Sequence, residues 1–202
     1  MKILVACEYS GAVRDALRAR GHFAVSCDII ASEKPGPHIQ ADVLTVLDWG
    51  WDAMIAFPPC TYLANSGVRW LYEREGRLQQ MAEGARFWRA VWDAPIPLVA
   101  IENPIMHKHA KNVIGIGLDV PDYAQIIQPW QFGHGETKAT CLWLRGLPKL
   151  QPTHIVAGRE ARVHRMSPGA NRGHERARTY PGVAEAMAEQ WFGNALSSLD
   201  IA

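Results

Sequence analysis

Short apolar runs separated by helical patterns limit the possible fold of this chain more than any other feature. We interpret five runs as buried strands: Lys2 to Ala6, Phe23 to Ile30, Ile39 to Val43, Asp52 to Phe57 and Leu98 to Ile101. Segments with helical spacing lie between them, from Ala12 to Arg20 and from Arg74 to Trp92. Because strands alternate with helices, the pattern predicts an α/β fold with a doubly wound, mostly parallel sheet.

The remainder of the chain continues this pattern. Two further strands are expected near Tyr123 to Ile127 and Thr140 to Leu144, and a closing helix from Gly182 to Leu199 that breaks around Gly193 and Asn194. The chain has 202 residues, of which 48% are apolar and 20% charged, a composition typical of globular proteins. We therefore expect a single domain over residues 1–202.

Composition also argues against several classes of protein. The formal net charge is +1, so the overall charge gives no indication of nucleic acid binding. No apolar run reaches the ~18 residues of a membrane span, and the first apolar stretch is too short for a secretory signal. The four cysteines contain no CxxC pair, which argues against a metal site and a disulfide framework. We expect a cytoplasmic protein without metal or membrane contact.

Polar or conformationally special residues follow each of the first five predicted strands. They are Glu8-Tyr9-Ser10-Gly11, Asp28, Asp42, Pro58-Pro59-Cys60 and Glu102-Asn103-Pro104. The carboxyl ends of parallel strands border one crevice, where ligands bind in such sheets. Gly11 would let a ligand approach the backbone, Asp28 suits ribose hydroxyls, and Asp42 suits an adenine amine. Since GxGxxG and the lysine-bearing phosphate loop are both absent, we predict an adenosyl cofactor without a phosphate chain.

Cys60 is the strongest candidate for a reactive group. Two prolines stiffen the chain before it, and a thiol at a strand end suits a nucleophile, although a buried inert cysteine is the alternative. At this point the chain resembles the cytosine-C5 methyltransferases that use S-adenosylmethionine. The resemblance rests on Pro58-Pro59-Cys60 with the later Gly67, on Glu102-Asn103, on Ser10-Gly11, Asp28 and Asp42, and on Gly193-Asn194-Ala195.

The resemblance implies a Rossmann-like methyltransferase fold, S-adenosyl-L-methionine as cofactor and DNA as substrate. The catalytic residues that it implies are Cys60, Glu102, Asn103 and Lys138. The cofactor contacts are Glu8, Tyr9, Ser10, Gly11, Asp28, Ile29, Asp42, Pro58 and Asn194. The substrate contacts are Pro59, Asn65, Thr140, Arg172, Arg176 and Arg178.

The implied chemistry accounts for the residue types. Attack of the Cys60 thiolate on carbon 6 of cytosine gives carbon 5 the character of an enamine, so that it can accept a methyl group. Glu102 would hold N3 of the base and favour its protonation, which requires a carboxyl group with a raised pKa. Asn103 would orient either the base or the loop.

Several positions depart from the family pattern. Cys7 stands where an aromatic residue is usual, and Tyr9 where glycine is common. The family's arginine pair is represented by Lys138 and the uncharged Thr140, so its second role is vacant or filled from elsewhere. Trp70, shortly after Cys60, is expected to pack against the protein, with stacking on a flipped base as the alternative.

The stretch at about 146–178 is too short for a separate target-recognition domain. It contains six arginines and only two glutamates, and its glycines and proline suggest a flexible basic loop. Such a loop suits phosphate contacts, which position a duplex without reading its bases. A solvated charged loop is the alternative.

Three functions remain open on sequence grounds. The first is methyl transfer to cytosine in DNA, the second is the same transfer to a free nucleotide such as dCMP, and the third is a non-catalytic DNA-binding protein with the same fold. The missing recognition domain favours the nucleotide, whereas the resemblance favours the polymer. Cys7 and Tyr9 favour a degenerate cofactor pocket, whereas Cys60 and Glu102 argue against one. The sequence leaves the oligomeric state open.

Overall fold

The computed structural model describes residues 1–167, 169 and 172–195, apart from the side chains of His164, Arg172 and His174. Its strands are β1 (Lys2–Ala6), β2 (Phe23–Asp28), β3 (His38–Gln40), β4 (Ala53–Ala56), β5 (Leu98–Pro104), β6 (Gln125–Ile127) and β7 (Thr140–Arg145). Its α-helices are α1 (Ala12–Ala19), α2 (Trp70–Glu73), α3 (Arg77–Trp92), α4 (Lys108–Ile114), α5 (Arg162–Arg165), α6 (Arg172–Ala177) and α7 (Pro181–Phe192).

The seven strands form one sheet in the order β3-β2-β1-β4-β5-β7-β6. Strands β1 to β5 are parallel, with Val5 opposite both Ser26 and Ile55, while β7 runs antiparallel between β5 and β6. The predicted doubly wound, mostly parallel α/β sheet is confirmed, and its order through β5 is Rossmann-like. The strand order reverses between β1 and β4, so the ligand crevice is expected at their carboxyl ends.

Helices cover both faces of the sheet. Alternate residues of β1 point to opposite faces, so that Leu4 packs in the layer of α3 and α4 and Ile3 in the layer of α1 and α7. On the first face Trp88 stacks on Trp92, with ring centres 6.0 Å apart, and meets Trp143 edge-on at 5.3 Å. These buried faces fix the strand ends that border the crevice.

Some predicted elements differ from those observed. The third strand ends at Gln40, because the Asp42 side chain accepts a hydrogen bond from the Leu44 N–H (3.0 Å) and begins a helical turn instead. The long helix predicted from Arg74 begins at Arg77 instead, and the short helix α2 that precedes it was not predicted. Helix α4 was not predicted. Helix α7 ends at Phe192, in agreement with the expected break around Gly193 and Asn194, and the last part of the predicted helix, 196–199, lies outside the described residues.

The basic stretch at 146–178 is more structured than predicted. Its first part runs beside residues 130–137, where the Gly133 N–H donates to His154 O (2.8 Å) and the Thr137 N–H to Glu160 O (2.8 Å). Helices α5 and α6 follow within the same stretch. The described part of this stretch is therefore more than an irregular loop, and its flexibility stays a prediction.

Within the described ranges, no helix has both the length and the apolar character of a membrane span.

Candidate functional site

The loop after β4 carries Cys60 at the carboxyl edge of the sheet. The carbonyl of Cys60 accepts hydrogen bonds from the N–H groups of Leu63 (3.0 Å) and Ala64 (2.9 Å), which close a tight turn. The buried Asn103 on β5 donates from Nδ2 to the carbonyl of Pro58 (2.9 Å). Asn103 was predicted to orient either the base or the loop, and this hydrogen bond is a contact with the loop.

A second set of hydrogen bonds fastens the same loop to the connection between β5 and α4. His107, 3% exposed, accepts at Nδ1 from the Ala110 N–H (3.1 Å), so its Nε2 carries the proton and donates to Tyr62 O (3.0 Å). The His107 N–H donates to Leu63 O (3.1 Å), and the Asn65 N–H donates to Ile105 O (2.8 Å). Sequence reasoning missed His107, because only the fold brings it to the loop.

A pocket lies where the carboxyl end of β5 and the facing end of β7 meet the start of α7. It is lined by Phe57, Glu102, Ile127, Pro129, Lys138, Thr140, Thr179, Tyr180, Val183 and Met187. The structure thus brings together three predicted site residues, Glu102, Lys138 and Thr140, among mostly apolar and aromatic walls. The cavity itself is small, about 20 Å³, so a flat ring enters only if its walls move apart, but the chemistry of those walls suits a ring with a few polar atoms.

The pocket changes the acidity of its own carboxyl group and of the nearby thiol. Burial raises the pKa of Glu102, although the charge of Lys138 and a hydrogen bond from Thr140 oppose the shift. Burial and the charge of Glu102 raise the pKa of Cys60, whereas Lys138 and Arg176 lower it. These mutual effects indicate that Cys60, Glu102, Lys138 and Arg176 form one electrostatic cluster.

The crevice at the ends of β1 and β2 contains further predicted residues. The Cys7 thiol lies there, and burial followed by the charge of Asp28 raises its pKa. Asp28 accepts from the Ile30 N–H (2.9 Å), and burial raises its pKa. Ile29 is 72% exposed beside it, and the exposed Asp42 lies across the crevice. Carboxylates next to exposed apolar side chains suit a nucleoside, which combines hydroxyl and amine donors with a flat ring.

Glu8 and Ser10 lie beneath this crevice rather than in it. The Glu8 carboxylate accepts from the backbone N–H of Val13 (2.7 Å) and of Arg14 (3.3 Å), and from the Ser10 hydroxyl (3.2 Å). Both residues thereby stabilise the start of α1. Their contact with a cofactor stays a prediction.

The reason for glycine at position 11 differs from the predicted one. A Cβ atom on Gly11 would lie 2.4 Å from Nη2 of Arg14, and one on Gly36 2.8 Å from the same atom. Arg14 is completely buried and donates to Ser26, Ser32 and the carbonyl of Pro35. Both glycines therefore make room for an internal guanidinium.

Tyr9 is also buried, at 8% exposed, and burial raises its pKa to about 12. Its carbonyl accepts from the Glu33 N–H (2.8 Å), and Glu33 in turn forms an ion pair with Arg178 (2.7 Å). Arg178, predicted to contact substrate, therefore connects the segment beside the pocket to the loop after β2. We call residues 176–180 the strap, since Thr179 and Tyr180 also line the pocket.

The position of Asn194 contradicts its predicted contact with the cofactor. Its neighbours Gly193 and Ala195 bond to the turn between α1 and β2: His22 Nε2 lies 3.1 Å from Gly193 O, and the Ala195 N–H donates to Arg20 O (2.9 Å). This turn lies at the amino end of β2, whereas the crevice lies at the carboxyl end of the same strand.

The start of α7, which sequence reasoning did not select, shapes the pocket instead. A Cβ atom on Gly182 would lie 2.0 Å from Phe132 O, and the Gly182 N–H donates to His134 Nε2 (3.1 Å). The Tyr180 hydroxyl donates to Glu136 (2.8 Å), which also pairs with Arg162 (3.0 Å). Pro181 at the first helical position was the available signal.

The other predicted substrate contacts differ in their exposure. Pro59 and Asn65 are exposed beside Cys60, while Thr140 is buried and donates to Lys138 O (3.2 Å). Arg176 is partly buried, and the side chain of Arg172 lies outside the described residues. In the described part of the chain, no three His, Cys, Asp or Glu side chains are arranged to hold a metal ion.

Comparisons with known proteins give similarity to solved structures alone. No protein-family model matches the chain, and no curated protein matches it. A proposed DNA modification methyltransferase from an E. coli prophage has 16% identity and a TM-score of 0.46 over 76% of this chain and 51% of that one. The Entamoeba histolytica methyltransferase EhMeth has 13% identity and a TM-score of 0.46 over 84% of this chain and 60% of that one. S. pombe Dnmt2 has 14% identity and a TM-score of 0.43 over 80% of this chain and 52% of that one. The chain thus spans between half and three fifths of the length of these structures.

Proposed function

We propose that the protein transfers a methyl group from S-adenosylmethionine to carbon 5 of cytosine in DNA, through a covalent adduct at Cys60. The observation that carries the proposal is the cluster of Cys60 with Glu102 and Lys138. An acid with a raised pKa lines a pocket for a flat ring, and a thiol lies within its electrostatic reach. These are the groups needed to attack one side of the ring while protonating its edge.

The residues have separate tasks in this chemistry. Cys60 Sγ forms a bond to carbon 6, and the electrons of the 5,6 double bond move to carbon 5 while N3 takes a proton from Glu102. Glu102 can supply that proton because burial keeps it protonated above its ordinary pKa. Lys138 and Arg176 favour the thiolate form of Cys60. After carbon 5 has taken the methyl group, a water molecule would remove its proton, the electrons of that C–H bond would restore the 5,6 double bond and expel the Cys60 thiolate, and N3 would return its proton to Glu102.

The crevice at the ends of β1 and β2 fits the cofactor by the chemistry of its side chains. Asp28 and Asp42 accept hydrogen bonds of the kind that ribose and adenine donate, and the exposed Ile29 offers an apolar surface to the ring. When bound there, S-adenosylmethionine supplies an electrophilic methyl group. The thiol of Cys7 in the same crevice has a raised pKa and stays neutral at physiological pH.

Trapping with 5-fluorocytosine DNA tests the nucleophile directly. Fluorine cannot leave carbon 5 as a proton does, so the adduct should persist as a band that resists denaturation. We expect this band with the unaltered protein and its loss in Cys60→Ser. Cys141→Ser is the matched control, since Cys141 is buried in β7. A band that survives Cys60→Ser would refute the assignment.

Methyl transfer to a free nucleotide is the second candidate. It is favoured by the ion pairs of Arg178 in the strap and of Arg162 in α5. These pairs occupy two cations that DNA phosphates would otherwise contact. Transfer of tritiated methyl groups to duplex DNA, single-stranded DNA and dCMP separates the candidates. Label in dCMP and none in either DNA would contradict the leading proposal, and failure to bind S-adenosylhomocysteine in calorimetry would favour a non-catalytic protein.

A further inference from the structure

Three arginines after the Cys60 loop are held against aromatic rings. The guanidinium carbons of Arg69 and Arg74 lie 4.3 and 4.0 Å from the centre of the Trp70 ring. That of Arg77 lies 4.2 Å from the centre of the Tyr62 ring, and Arg77 also donates to Thr61 O (2.8 Å). We call Arg69, Arg74 and Arg77 the arginine face.

The arginine face differs from the basic stretch at 146–178 in its partners. Among the described residues, none of its three guanidinium groups forms an ion pair with a carboxylate. In the basic stretch, Arg162 pairs with Glu136 and Arg178 with Glu33. Of its described arginines, Arg159 alone is stacked in the same way, on Trp130 (3.9 Å), so three stacked arginines within nine residues set the arginine face apart. Cations that lack an internal carboxylate can meet an external anion without first breaking an ion pair.

Stacking also prepares these arginines for binding. A guanidinium group held on a ring has lost part of its rotamer freedom, so less entropy is lost when an anion binds. Arg69 and Arg74 are exposed, which leaves their N–H groups accessible. The neighbouring Glu73 and Glu75 keep the local net charge low, so attraction depends on short-range bidentate contacts such as those of arginine with phosphate.

We propose that the arginine face binds the phosphodiester backbone of the nucleic acid strand whose base enters the pocket next to Cys60. The inference rests on the proposed function and deepens it, since it assigns the phosphate contacts to residues 69–77 and not to the basic stretch. Only eight residues separate Cys60 from Arg69, so the phosphates would lie beside the reacting base. A single nucleotide has one phosphate, whereas three arginines suit a polymer.

Salt-dependent binding tests the proposal without relying on activity. Fluorescence anisotropy with labelled duplex and single-stranded DNA would be measured between 50 and 200 mM salt, for the unaltered protein and for Arg69→Gln, Arg74→Gln and Arg77→Gln. Each variant should bind more weakly than the unaltered protein, and by the same factor for DNAs of different sequence. Each lost phosphate contact should also lower the steepness of log K against log salt by about one. Arg86→Gln, at an exposed arginine on α3, is the matched control and should leave the slope unchanged.

A second variant separates charge from fold. Trp70→Leu keeps all three charges and removes the ring that orients two of them, so it should weaken binding while the circular dichroism spectrum is retained. Unchanged slopes in all three arginine variants, or the loss of binding only in Arg165→Gln of the basic stretch, would overturn the proposal. Slopes that fall as expected without any methyl transfer would instead overturn the proposed function and leave the arginine face supported.

Discussion

Glu102 combines a position at the pocket wall with a pKa that burial raises above the usual range. In the unfolded chain the same carboxyl group titrates at its ordinary pKa of about 4.3. Between these two values the unfolded state releases the proton and the folded state keeps it. The contribution of Glu102 to stability is therefore complete below the ordinary pKa and is lost as the pH rises through the raised one.

Glu102→Gln removes this pH dependence. We expect the variant to gain stability relative to the unaltered protein as the pH rises from 4.5 to 8. Its free energy of unfolding minus that of the unaltered protein should therefore increase over this range. Urea denaturation at several pH values measures the difference, with Glu75→Gln as the control for loss of an exposed charge. A difference that stays constant with pH would contradict the raised pKa. In the same variant, loss of the acid should lower methyl transfer by about 10²- to 10⁴-fold.

At the scale of elements, the loop from Cys60 to Asn65 depends on its attachment to the connection between β5 and α4. His107 contributes Nε2 and its backbone N–H to that attachment, while its Nδ1 caps the start of α4. His107→Ala leaves the carbonyl of Tyr62 without its donor, which costs about 1–3 kcal/mol for a buried acceptor. We expect Cys60 to be alkylated faster by iodoacetamide, because the loop opens more often.

The same variant should also affect turnover more than binding. A misplaced thiol lowers kcat by about 10- to 100-fold while KM changes little, since a shift of about 1 Å is enough for such a loss. His22→Ala is the control, because His22 is similarly buried and hydrogen-bonded to a backbone carbonyl but lies at the turn between α1 and β2 (Nε2 to Gly193 O, 3.1 Å). An equal effect of both substitutions on alkylation would argue against a positioning role for His107.

The start of α7 offers a second test at this scale. A methyl group at position 182 would meet Phe132 O at 2.0 Å, so Gly182→Ala must shift the helix away from the pocket. We expect a loss of about 1–3 kcal/mol in the free energy of unfolding, as for other overpacked sites. Gly173→Ala in α6 has open space around the new Cβ and is the control. Thermal unfolding of the two variants should differ clearly.

Elements were predictable from sequence where the signal is local. Apolar runs gave β1 and β5 because a strand buried on both faces has no polar positions, and the strand ends placed Glu102 and Cys60 at one edge. Local signals did not foresee the partner of Arg178 or the surroundings of Asn194. The partners that decide their roles, Glu33 and the turn at Arg20, are distant in sequence, so only the packed fold shows that one is paired and the other lies at the wrong end.

At the scale of the whole molecule, the strap connects the pocket to the crevice at the ends of β1 and β2. Arg178 pairs with Glu33, whose N–H bonds to the carbonyl of Tyr9 at the end of β1. Arg178→Ala should raise the dissociation rate of S-adenosylhomocysteine by about 2- to 5-fold, in line with the ~1 kcal/mol of an exposed ion pair. Stopped-flow fluorescence measures the rate.

A double-mutant cycle identifies the contact responsible. If the ion pair itself retains the cofactor, Glu33→Gln and Arg178→Ala should together have the effect of either alone. Additive effects would mean that the two residues act separately. The cycle needs binding measurements alone, so its outcome does not depend on the substrate.

The buried guanidinium of Arg14 has a consequence for the evolution of the chain. Because Gly11 and Gly36 both make room for it, a related protein that keeps the arginine must keep both glycines, although they are distant in sequence. A related protein with a small residue at position 14 loses that steric requirement, yet the positive φ angles at positions 11 (70°) and 36 (145°) still favour glycine at both sites. A change of Arg14 should therefore precede any substitution of the two glycines, since it removes the clash and leaves only the backbone preference.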